Sequence, residues 1–259
     1  MKLTFLGTGT SFGVPQVGCG CAVCHSTDLR DRRSRVAAFV ESGGFNLLID
    51  TPPELRLQLI AAQVDRVDAV LFTHDHADHT HGIDDLRAVS RRGTALPMYG
   101  PAETLSALEL RFRYIFDPAV HPIPGTTKPD GLARALVVDL PVRIGPLEVT
   151  PVEVPHGHAR VFGYRIGPLA YVTDAKSLPP AAIARLRGAE VLVLNALFHR
   201  SHPTHLSISE AVEAARLVGA RRTFLTHLTH ETAHAELEAE LPADIRPAYD
   251  GLTLEITGS

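Results

Sequence analysis

Short apolar runs alternate with amphipathic stretches along the chain, which predicts strands interleaved with helices. The strands expected from this pattern are residues 2–7, 36–42, 45–50, 68–73, 133–140, 147–154, 161–166, 169–174, 190–196 and 222–227. The helices expected are the stretch that follows Pro52-Pro53 and residues 83–92, 102–113, 178–187 and 207–219. No polar linker, charge block or clear repeat divides the chain, so we expect one α/β domain over residues 1–259.

Four of the expected strands end in polar residues that suit metal binding. The strand at 68–73 runs directly into HDHADH, and three later strands end at His156, Asp174 and His227. Because rigid strands position the loops that follow them, ligand-binding residues collect at such ends in layered α/β proteins. A lone histidine after a strand is an ordinary structural residue, but the repetition indicates one shared site.

The densest of these clusters is the H-x-H-x-D-H motif formed by His74, His76, Asp78 and His79. Alternate residues on an extended segment can direct two imidazoles at one metal ion, and the Asp-His pair on the next turn can serve a second. A polar loop with chance histidines is the alternative, and three histidines and an aspartate within six positions argue against it.

The amino-acid composition limits the classes of molecule that the protein is expected to bind. The 259 residues are 45% hydrophobic and 21% charged, with a formal net charge of −4 and fourteen histidines. This balance gives no electrostatic case for nucleic acid or an anionic membrane, and a small molecule is the expected partner. The start of the chain lacks the apolar run of a signal peptide, and no stretch is long enough to span a membrane, so we expect a cytoplasmic protein.

All three cysteines, Cys19, Cys21 and Cys24, lie in one loop at residues 18–26. An odd, clustered set argues against structural disulfides in a reducing compartment. The sequence CAVCH at 21–25 has the form of a c-type haem attachment site, and CAVC the form of a redox pair, but both leave Cys19 without a role. A zinc site uses all three sulfurs and needs a fourth ligand, which the adjacent His25 could reach only with difficulty.

Together these motifs resemble the metallo-β-lactamase superfamily, from LGTGTSFGVP near the start to YDGLTLEI near the end. The resemblance implies an αβ/βα four-layer sandwich, in which two mixed sheets are flanked by helices, with a dimetal site of Zn²⁺ or Mn²⁺ at one edge. It implies that one cation is bound by His74, His76 and His156, the other by Asp78, His79 and His227, and that Asp174 bridges the two. Asp50 matches an acid that recurs behind the metal ligands.

The segment GVPQVGCGCAVC also resembles the PhnP-type phosphodiesterases, which hydrolyse a 5-phosphoribosyl 1,2-cyclic phosphate. In that family three such cysteines and a histidine near the C-terminus hold a structural zinc. The matching histidine here is His230, three residues after His227.

The expected activity is therefore phosphodiester hydrolysis by a metal-bridging hydroxide that attacks phosphorus. The leaving alkoxide needs a proton, and His205 is a candidate donor because it precedes a helix with a Ser207/Glu210 capping box. Asp78 and His205 are the candidate catalytic residues. His202 and His199 are weaker candidates.

Several alternatives stay open at this point. The fold supports other chemistry, so an RNA-processing nuclease, a thioester hydrolase, an oxidoreductase of the kind found in pyrroloquinoline quinone biosynthesis and a zinc protein without activity all remain. The proline-rich residues 112–132 do not match the family and are expected to form a lid or a substrate-selecting loop. A homodimer is one assembly left open.

Overall fold

The computed structural model describes residues 1–90 and 93–257. Its strands are β1 (Lys2–Gly7), β2 (Ala37–Ser42), β3 (Phe45–Ile49), β4 (Ala69–Leu71), β5 (Leu96–Gly100), β6 (Gly131–Ala135), β7 (Val142–Ile144), β8 (Leu147–His156), β9 (Ala159–Ile166), β10 (Leu169–Val172), β11 (Val191–Asn195), β12 (Arg222–Thr226), β13 (Ile245–Pro247) and β14 (Thr253–Glu255). Its α-helices are α1 (Leu55–Ala61), α2 (Ala77–Thr80), α3 (Ala102–Arg111), α4 (Arg113–Phe116), α5 (Pro180–Leu186), α6 (Ile208–Val218) and α7 (His234–Glu240). Short 3₁₀ helices lie at Leu29–Asp31 and Ile83–Ala88.

The strands form two seven-stranded mixed sheets with related connectivity. The order is β14-β1-β2-β3-β4-β5-β6 in the first sheet and β13-β12-β11-β10-β9-β8-β7 in the second. Pairing is antiparallel from β14 to β3 and parallel from β3 to β6. In the second sheet it is antiparallel from β7 to β10 and parallel from β10 to β13.

The main core lies between the sheets, where apolar side chains from both inner faces meet. The first sheet contributes residues such as Phe5 and Ile49, and the second contributes Tyr164, Tyr171 and Phe224. The hydroxyl of Tyr164 crosses the gap and donates a hydrogen bond to the carbonyl oxygen of Phe72. A buried tyrosine needs such a partner, and here the bond ties the second sheet to the chain that leads into the H-x-H-x-D-H loop.

Helices cover both outer faces and complete the four layers. Leu55, Leu105 and Leu108 of α1 and α3 pack on the outer face of the first sheet. Ala182 and Ala211 of α5 and α6 pack on the outer face of the second. The predicted αβ/βα sandwich is therefore confirmed.

Most of the predicted elements are confirmed, within a residue or two at their ends. The hairpin of β2 and β3 turns at Gly43 and Gly44, which both adopt positive φ. Helix α6 begins at the predicted capping box, in which the Ser207 hydroxyl accepts from the amide of Glu210 and the Glu210 carboxylate accepts from the amide of Ser207.

Two predictions about extent are wrong. The helical stretch at 83–92 is a 3₁₀ helix over Ile83–Ala88, while Arg91 and Arg92 lie outside the described residues. The strand expected at 133–140 ends at Ala135, because the chain turns where Leu140 bonds back to Val137 and Asp139 adopts a φ of 63°. Strands β5, β7, β13 and β14 and helices α2, α4 and α7 are not among the predicted elements, since short strands and short or largely polar helices leave little periodic signal.

The fold brings the strand ends that carry polar residues to one edge. Strands β4, β8, β10 and β12 all end there, and the loop after β1 joins them through a bridge between Gly9 and Leu228. Asp250 fixes that loop, because its partly buried carboxylate accepts hydrogen bonds from the Thr8 hydroxyl at 2.7 Å and from the Ser34 amide at 2.7 Å. Among the described residues, no helix is long and apolar enough to cross a membrane.

Candidate metal centre

Seven of the predicted ligands lie together at this edge. His74, His76, Asp78 and His79 follow β4, with the last two on the short helix α2. The other three stand at or just after the ends of β8, β10 and β12, and these are His156, Asp174 and His227.

These side chains form two groups of potential ligands. In each group one ligand atom per residue lies within 4.8 Å of all the others, a spacing that one cation can span. The first group is His74, His76, His156 and Asp174, and the second is Asp78, His79, His227 and Asp174. Asp174 belongs to both groups, so its carboxylate lies between the two positions.

Asp50 and Thr73 orient two of these imidazoles. The Asp50 carboxylate accepts hydrogen bonds from His79 Nδ1 and from the Thr73 hydroxyl, both at 2.8 Å. Since the Thr73 hydroxyl donates to Asp50, its oxygen is left to accept from His74 Nδ1, 3.0 Å away. One carboxylate thereby fixes the tautomer of both rings and leaves each Nε2 lone pair facing the site.

His156 is oriented in the same way by the backbone. Its Nδ1 donates to the carbonyl oxygen of Thr204 at 2.9 Å, so its Nε2 also presents a lone pair to the site. The Nε2 atoms of His74, His79 and His227 are buried and have no hydrogen-bond partner among the described residues. Such unsatisfied atoms are costly unless something binds them, and a nitrogen- and carboxylate-rich set fits divalent zinc or manganese.

One buried negative charge holds the cluster together electrostatically. Burial alone would raise the pKa of Asp174, but His227 and His79 reverse this and hold it well below its usual range. The pKa of Asp78 is also lowered: burial opposes this, and the imidazole of His227, whose Nε2 lies 3.9 Å from Asp78 Oδ2, outweighs it. Both carboxylates are therefore ionised and able to bind a cation at neutral pH.

The pKa values of the imidazoles in the cluster are also shifted by burial and by neighbouring charges. Burial lowers the pKa of His74 well below its usual value and also lowers that of His156. For His79 burial works in the same direction, but the neighbouring carboxylates of Asp174 and Asp50 raise its pKa well above the usual value. Neutral imidazoles are the form that binds metals, and a cation at this position would displace the proton that His79 otherwise attracts.

His205 lies at the mouth of the cluster, on the loop that precedes α6. Its Nε2 is 3.3 Å from Asp174 Oδ2 and its Nδ1 is 2.9 Å from the Thr204 hydroxyl. His202 is next to it, with 3.3 Å between the two Nδ1 atoms. The cavity in front of them has a volume of about 640 Å³ and is lined by His76, Asp78, His156, Asp174, His205 and His227 among others.

The four residues predicted to bind a structural zinc also lie together. Cys19, Cys21, Cys24 and His230 form a third group with ligand atoms within 4.8 Å of one another. The His230 Nδ1 lies 3.4 Å from the sulfur of Cys19 and 3.2 Å from that of Cys21, while His25 is exposed. The hydrogen bond from His230 lowers the pKa of the Cys21 thiol to about 6, whereas burial raises that of Cys24 to about 11.

A buried ion pair supports the segment that carries both His227 and His230. Arg33, which is 1% exposed, pairs with Asp31 and donates to the carbonyl oxygens of Thr229 and Thr232. Asp31 in turn accepts from the amide of His234. This pair is not predictable from the sequence, because neither residue stands in a motif.

The other candidate residues from the sequence analysis lie outside the metal-binding cluster. His199 is exposed and pairs with Glu240, 3.4 Å away. Among the described residues, none from 112–132 lines the 640 Å³ cavity, although Phe112 packs on His81 and Tyr114 bonds to Asp84 beside the metal-binding loop. The predicted lid role of this segment stays a prediction.

The sequence analysis does not identify Thr73 or Ser11, a lining residue of the cavity, because single hydroxyl residues carry no pattern.

Comparison with known proteins agrees with this geometry. The profile of the beta-lactamase superfamily domain matches residues 45–228. A solved diphosphatase from the PhnP family superposes with a TM-score of 0.90 over 99% of this chain and 98% of its own, at 38% sequence identity.

Two further relatives are similar in sequence. An octanoyltransferase of Porphyromonas gingivalis is 37% identical over 97% of this chain, which spans only 51% of that protein's length. A ribonuclease Z of Pyrobaculum neutrophilum is 26% identical over 95% of this chain and 93% of its own length. The family profile and the extent of these matches lead to one conclusion: the chain belongs to the metallo-β-lactamase superfamily of metal-dependent hydrolases, and within it resembles the PhnP family.

Proposed function

We propose that the protein is a dimetal phosphodiesterase that hydrolyses a small cyclic phosphate or sugar phosphodiester. The observation that carries this proposal is the position of Asp174, which lies within reach of both ligand groups and 3.3 Å from His205. Two cations on either side of one carboxylate, with a proton donor beside them, suit displacement at phosphorus. 5-Phosphoribosyl 1,2-cyclic phosphate is the reference substrate, by resemblance to PhnP-type enzymes.

The residues that would hold the cations follow from the two groups. His74, His76 and His156 would bind one, Asp78, His79 and His227 the other, and Asp174 both. Bound in this way, the cations supply Lewis acidity and lower the pKa of a water molecule to near neutrality. The third group, Cys19, Cys21, Cys24 and His230, would hold a structural zinc.

One step of the hydrolysis, protonation of the leaving oxygen, would fall to a protein side chain. Hydrolysis breaks the bond from phosphorus to the leaving oxygen, forms one from phosphorus to the oxygen of water, and requires a proton on the leaving oxygen. His205 would supply that proton from Nε2. Burial lowers the pKa of His205, and the carboxylate of Asp174 beside its Nε2 opposes this.

One of the relatives supports chemistry at phosphorus. The PhnP-family structure is a diphosphatase, and cleavage of a diphosphate also displaces an oxygen from phosphorus. Thioester hydrolysis and iron-dependent oxidation remain the rivals. A panel of phosphodiester, thioester and ester substrates, together with metal analysis, separates them: iron without phosphodiesterase activity would favour the oxidative rival.

Thr73→Val tests the orientation of the metal ligands. The change keeps the shape of the side chain but removes the hydroxyl that links His74 to Asp50, so we expect metal affinity to fall by about 10–100-fold. Calorimetric titration of the metal-free protein with Mn²⁺ measures this affinity. Thr223→Val, at the opposite end of β12, is the matched buried control and should leave affinity unchanged. Equal affinities in all three proteins would show that Thr73 has no orienting role.

Asp78→Ala removes a ligand of one position and tests the dimetal mechanism. With bis(p-nitrophenyl) phosphate and Mn²⁺ or Zn²⁺, we expect kcat to fall by about 10³-fold or more, because the second cation and its several kcal/mol of charge stabilisation are lost. His76→Ala should behave alike. His121→Ala, an exposed histidine outside the site, should retain full activity. Activity that survives both ligand substitutions would refute the mechanism.

His205→Gln tests proton donation. A poor alkoxide leaving group depends on the donor, so we expect kcat on a cyclic phosphate to fall by about 10²–10⁴-fold. p-Nitrophenolate leaves without help, and its diester should lose less than about tenfold by the same reasoning. A loss that is equal for both substrates would assign His205 to binding rather than to acid catalysis. Steady-state kinetics on the two substrates decide the question.

His230→Ala tests the structural site. We expect the purified protein to lose about one zinc per chain, since three thiolates alone make an incomplete tetrahedral site. Elemental analysis of zinc and of the active-site metal measures both sites at once. His25→Ala provides the control next to Cys24, and it should keep its zinc. An unchanged zinc count in His230→Ala would contradict the assignment.

A further inference from the structure

A cavity of about 440 Å³ lies at the side of the sandwich, apart from the metal centre. Its walls include Leu254 of β14 and Arg246 of β13, and these two strands are edges of the first and the second sheet. Arg222, the first residue of β12, also lines it, whereas His227 follows the last residue of that strand. Because a strand rises by about 3.3 Å per residue, these two residues are about 16 Å apart. None of the described residues that line the 640 Å³ cavity lines this one.

The inner wall of this cavity is apolar. Phe224 and Leu254 line it and belong to the core between the sheets, and Leu252 packs against that core. An apolar group that enters the cavity is removed from water against these side chains, which is favourable. The volume lies within the range of about 300–1,000 Å³ that small-molecule sites have. The inner wall therefore suits a ring or a short alkyl group.

Two arginines on the walls have hydrogen-bond donors to spare. Arg246 is exposed, and its guanidinium has no ion-pair or hydrogen-bond partner among the described residues. Arg222 uses a single nitrogen, Nη2, to donate to Glu190 and to the carbonyl oxygen of Glu255, so its Nη1 and Nε are unused within the described part of the chain. Guanidinium N–H groups bind carboxylate and phosphate oxygens in pairs. These arginines therefore favour a ligand with an anionic head group.

The net charge of the lining has the matching sign. Three arginines line the cavity, and the third, Arg30, pairs with Glu238 at 3.2 Å. Both members of that ion pair are exposed, so water already weakens it. Glu238 and Asp244 are the carboxylates among the described lining residues, and two carboxylates against three arginines leave one positive charge in excess. The lining is therefore more favourable to an anion than to a cation.

His234 adds a buried nitrogen that lacks a partner. The residue lines the cavity at 1% exposure, and its Nδ1 has no hydrogen-bond partner among the described residues. Burial lowers the pKa of His234, so the ring is neutral and can carry its proton on Nδ1. A buried N–H group is costly unless an acceptor reaches it. An anionic oxygen bound in the cavity would be such an acceptor.

We propose that this cavity binds a small organic anion, namely a carboxylate or a phosphate group carried on an apolar body of about the size of a benzyl group. The anionic oxygens would accept hydrogen bonds from Arg222, Arg246 and His234, and the apolar body would pack on Phe224 and Leu254. None of the three groups of potential metal ligands among the described residues includes a lining residue, so this is a binding site without a hydrolytic centre. The inference does not depend on the phosphodiesterase proposal.

Calorimetric titration of the metal-loaded protein with phenylacetate and with benzylphosphonate tests the proposal. We expect at least one of these anions to bind with a dissociation constant below about 1 mM, which is within reach of a ligand of about ten heavy atoms. The anion that binds more tightly identifies the head group. Phenylacetamide, which lacks the charge, and acetate, which lacks the ring, should each bind at least about tenfold more weakly.

A substitution at the mouth of the cavity tests the head-group contacts. Arg246→Gln should weaken binding of the tighter anion by at least about tenfold, because a charged hydrogen-bond donor is lost. Arg143→Gln is the matched control, since Arg143 is exposed on β7, the opposite edge strand of the same sheet, and this change should leave the affinity unaltered. A ligand that binds only the folded state stabilises it. The anion should therefore raise the midpoint of thermal unfolding more in Arg143→Gln than in Arg246→Gln.

His76→Ala separates this cavity from the metal centre. An anion bound to active-site cations would be released by His76→Ala and retained by Arg246→Gln, whereas we expect the reverse. The proposal is overturned if neither anion binds, if phenylacetamide binds as tightly as the anions, or if Arg246→Gln and Arg143→Gln bind equally well. Absence of phosphodiester cleavage would refute the proposed function and leave this binding result unaffected.

Discussion

The carboxylate of Asp174 is the charge on which the site depends. Its Oδ2 lies 3.3 to 4.0 Å from the Nε2 atoms of five imidazoles, those of His74, His79, His156, His205 and His227. Buried at 2% exposure, it would be costly to ionise if it stood alone. The histidines reverse that cost and make Asp174 strongly acidic, but they also leave several nitrogen atoms without partners. Bound cations would satisfy both sides of this arrangement and would let the fold keep so polar a cluster buried.

The candidate metal-binding side chains come from separate parts of the chain, and the fold brings them together. Strand β4 in the first sheet and strands β8, β10 and β12 in the second end at a common edge, and the inter-sheet core fixes their relative positions. Support comes from residues that do not bind metal: Asp50 with Thr73 behind the first loop, and Arg33 with Asp31 behind the loop of His227. These pairs lie at low exposure, where hydrogen bonds to charged groups position side chains strongly.

Much of this was predictable from sequence, because strand-end histidines and the H-x-H-x-D-H spacing are local patterns. The two-sheet sandwich and the meeting of Cys19, Cys21 and Cys24 with His230 needed the family resemblance as well. Other features depend on long-range contacts that leave no local pattern. Asp50 and His227 adopt φ values of 62° and 58°, in the left-handed region that residues other than glycine rarely occupy. The cavity of about 290 Å³ that Phe12, Phe198 and Arg200 line is likewise built from segments near residues 12 and 200, which no periodicity connects.

If Asp174 binds two cations at once, the cations must lie close enough to interact magnetically. Activity measurements alone do not test this consequence. Electron paramagnetic resonance of the protein loaded with two equivalents of Mn²⁺ measures this directly. We expect the multiline spectrum of an exchange-coupled pair, and we expect Asp174→Ala to lose it. The six-line spectrum of isolated Mn²⁺ ions at full loading would contradict the central claim that Asp174 joins two metal positions in one site.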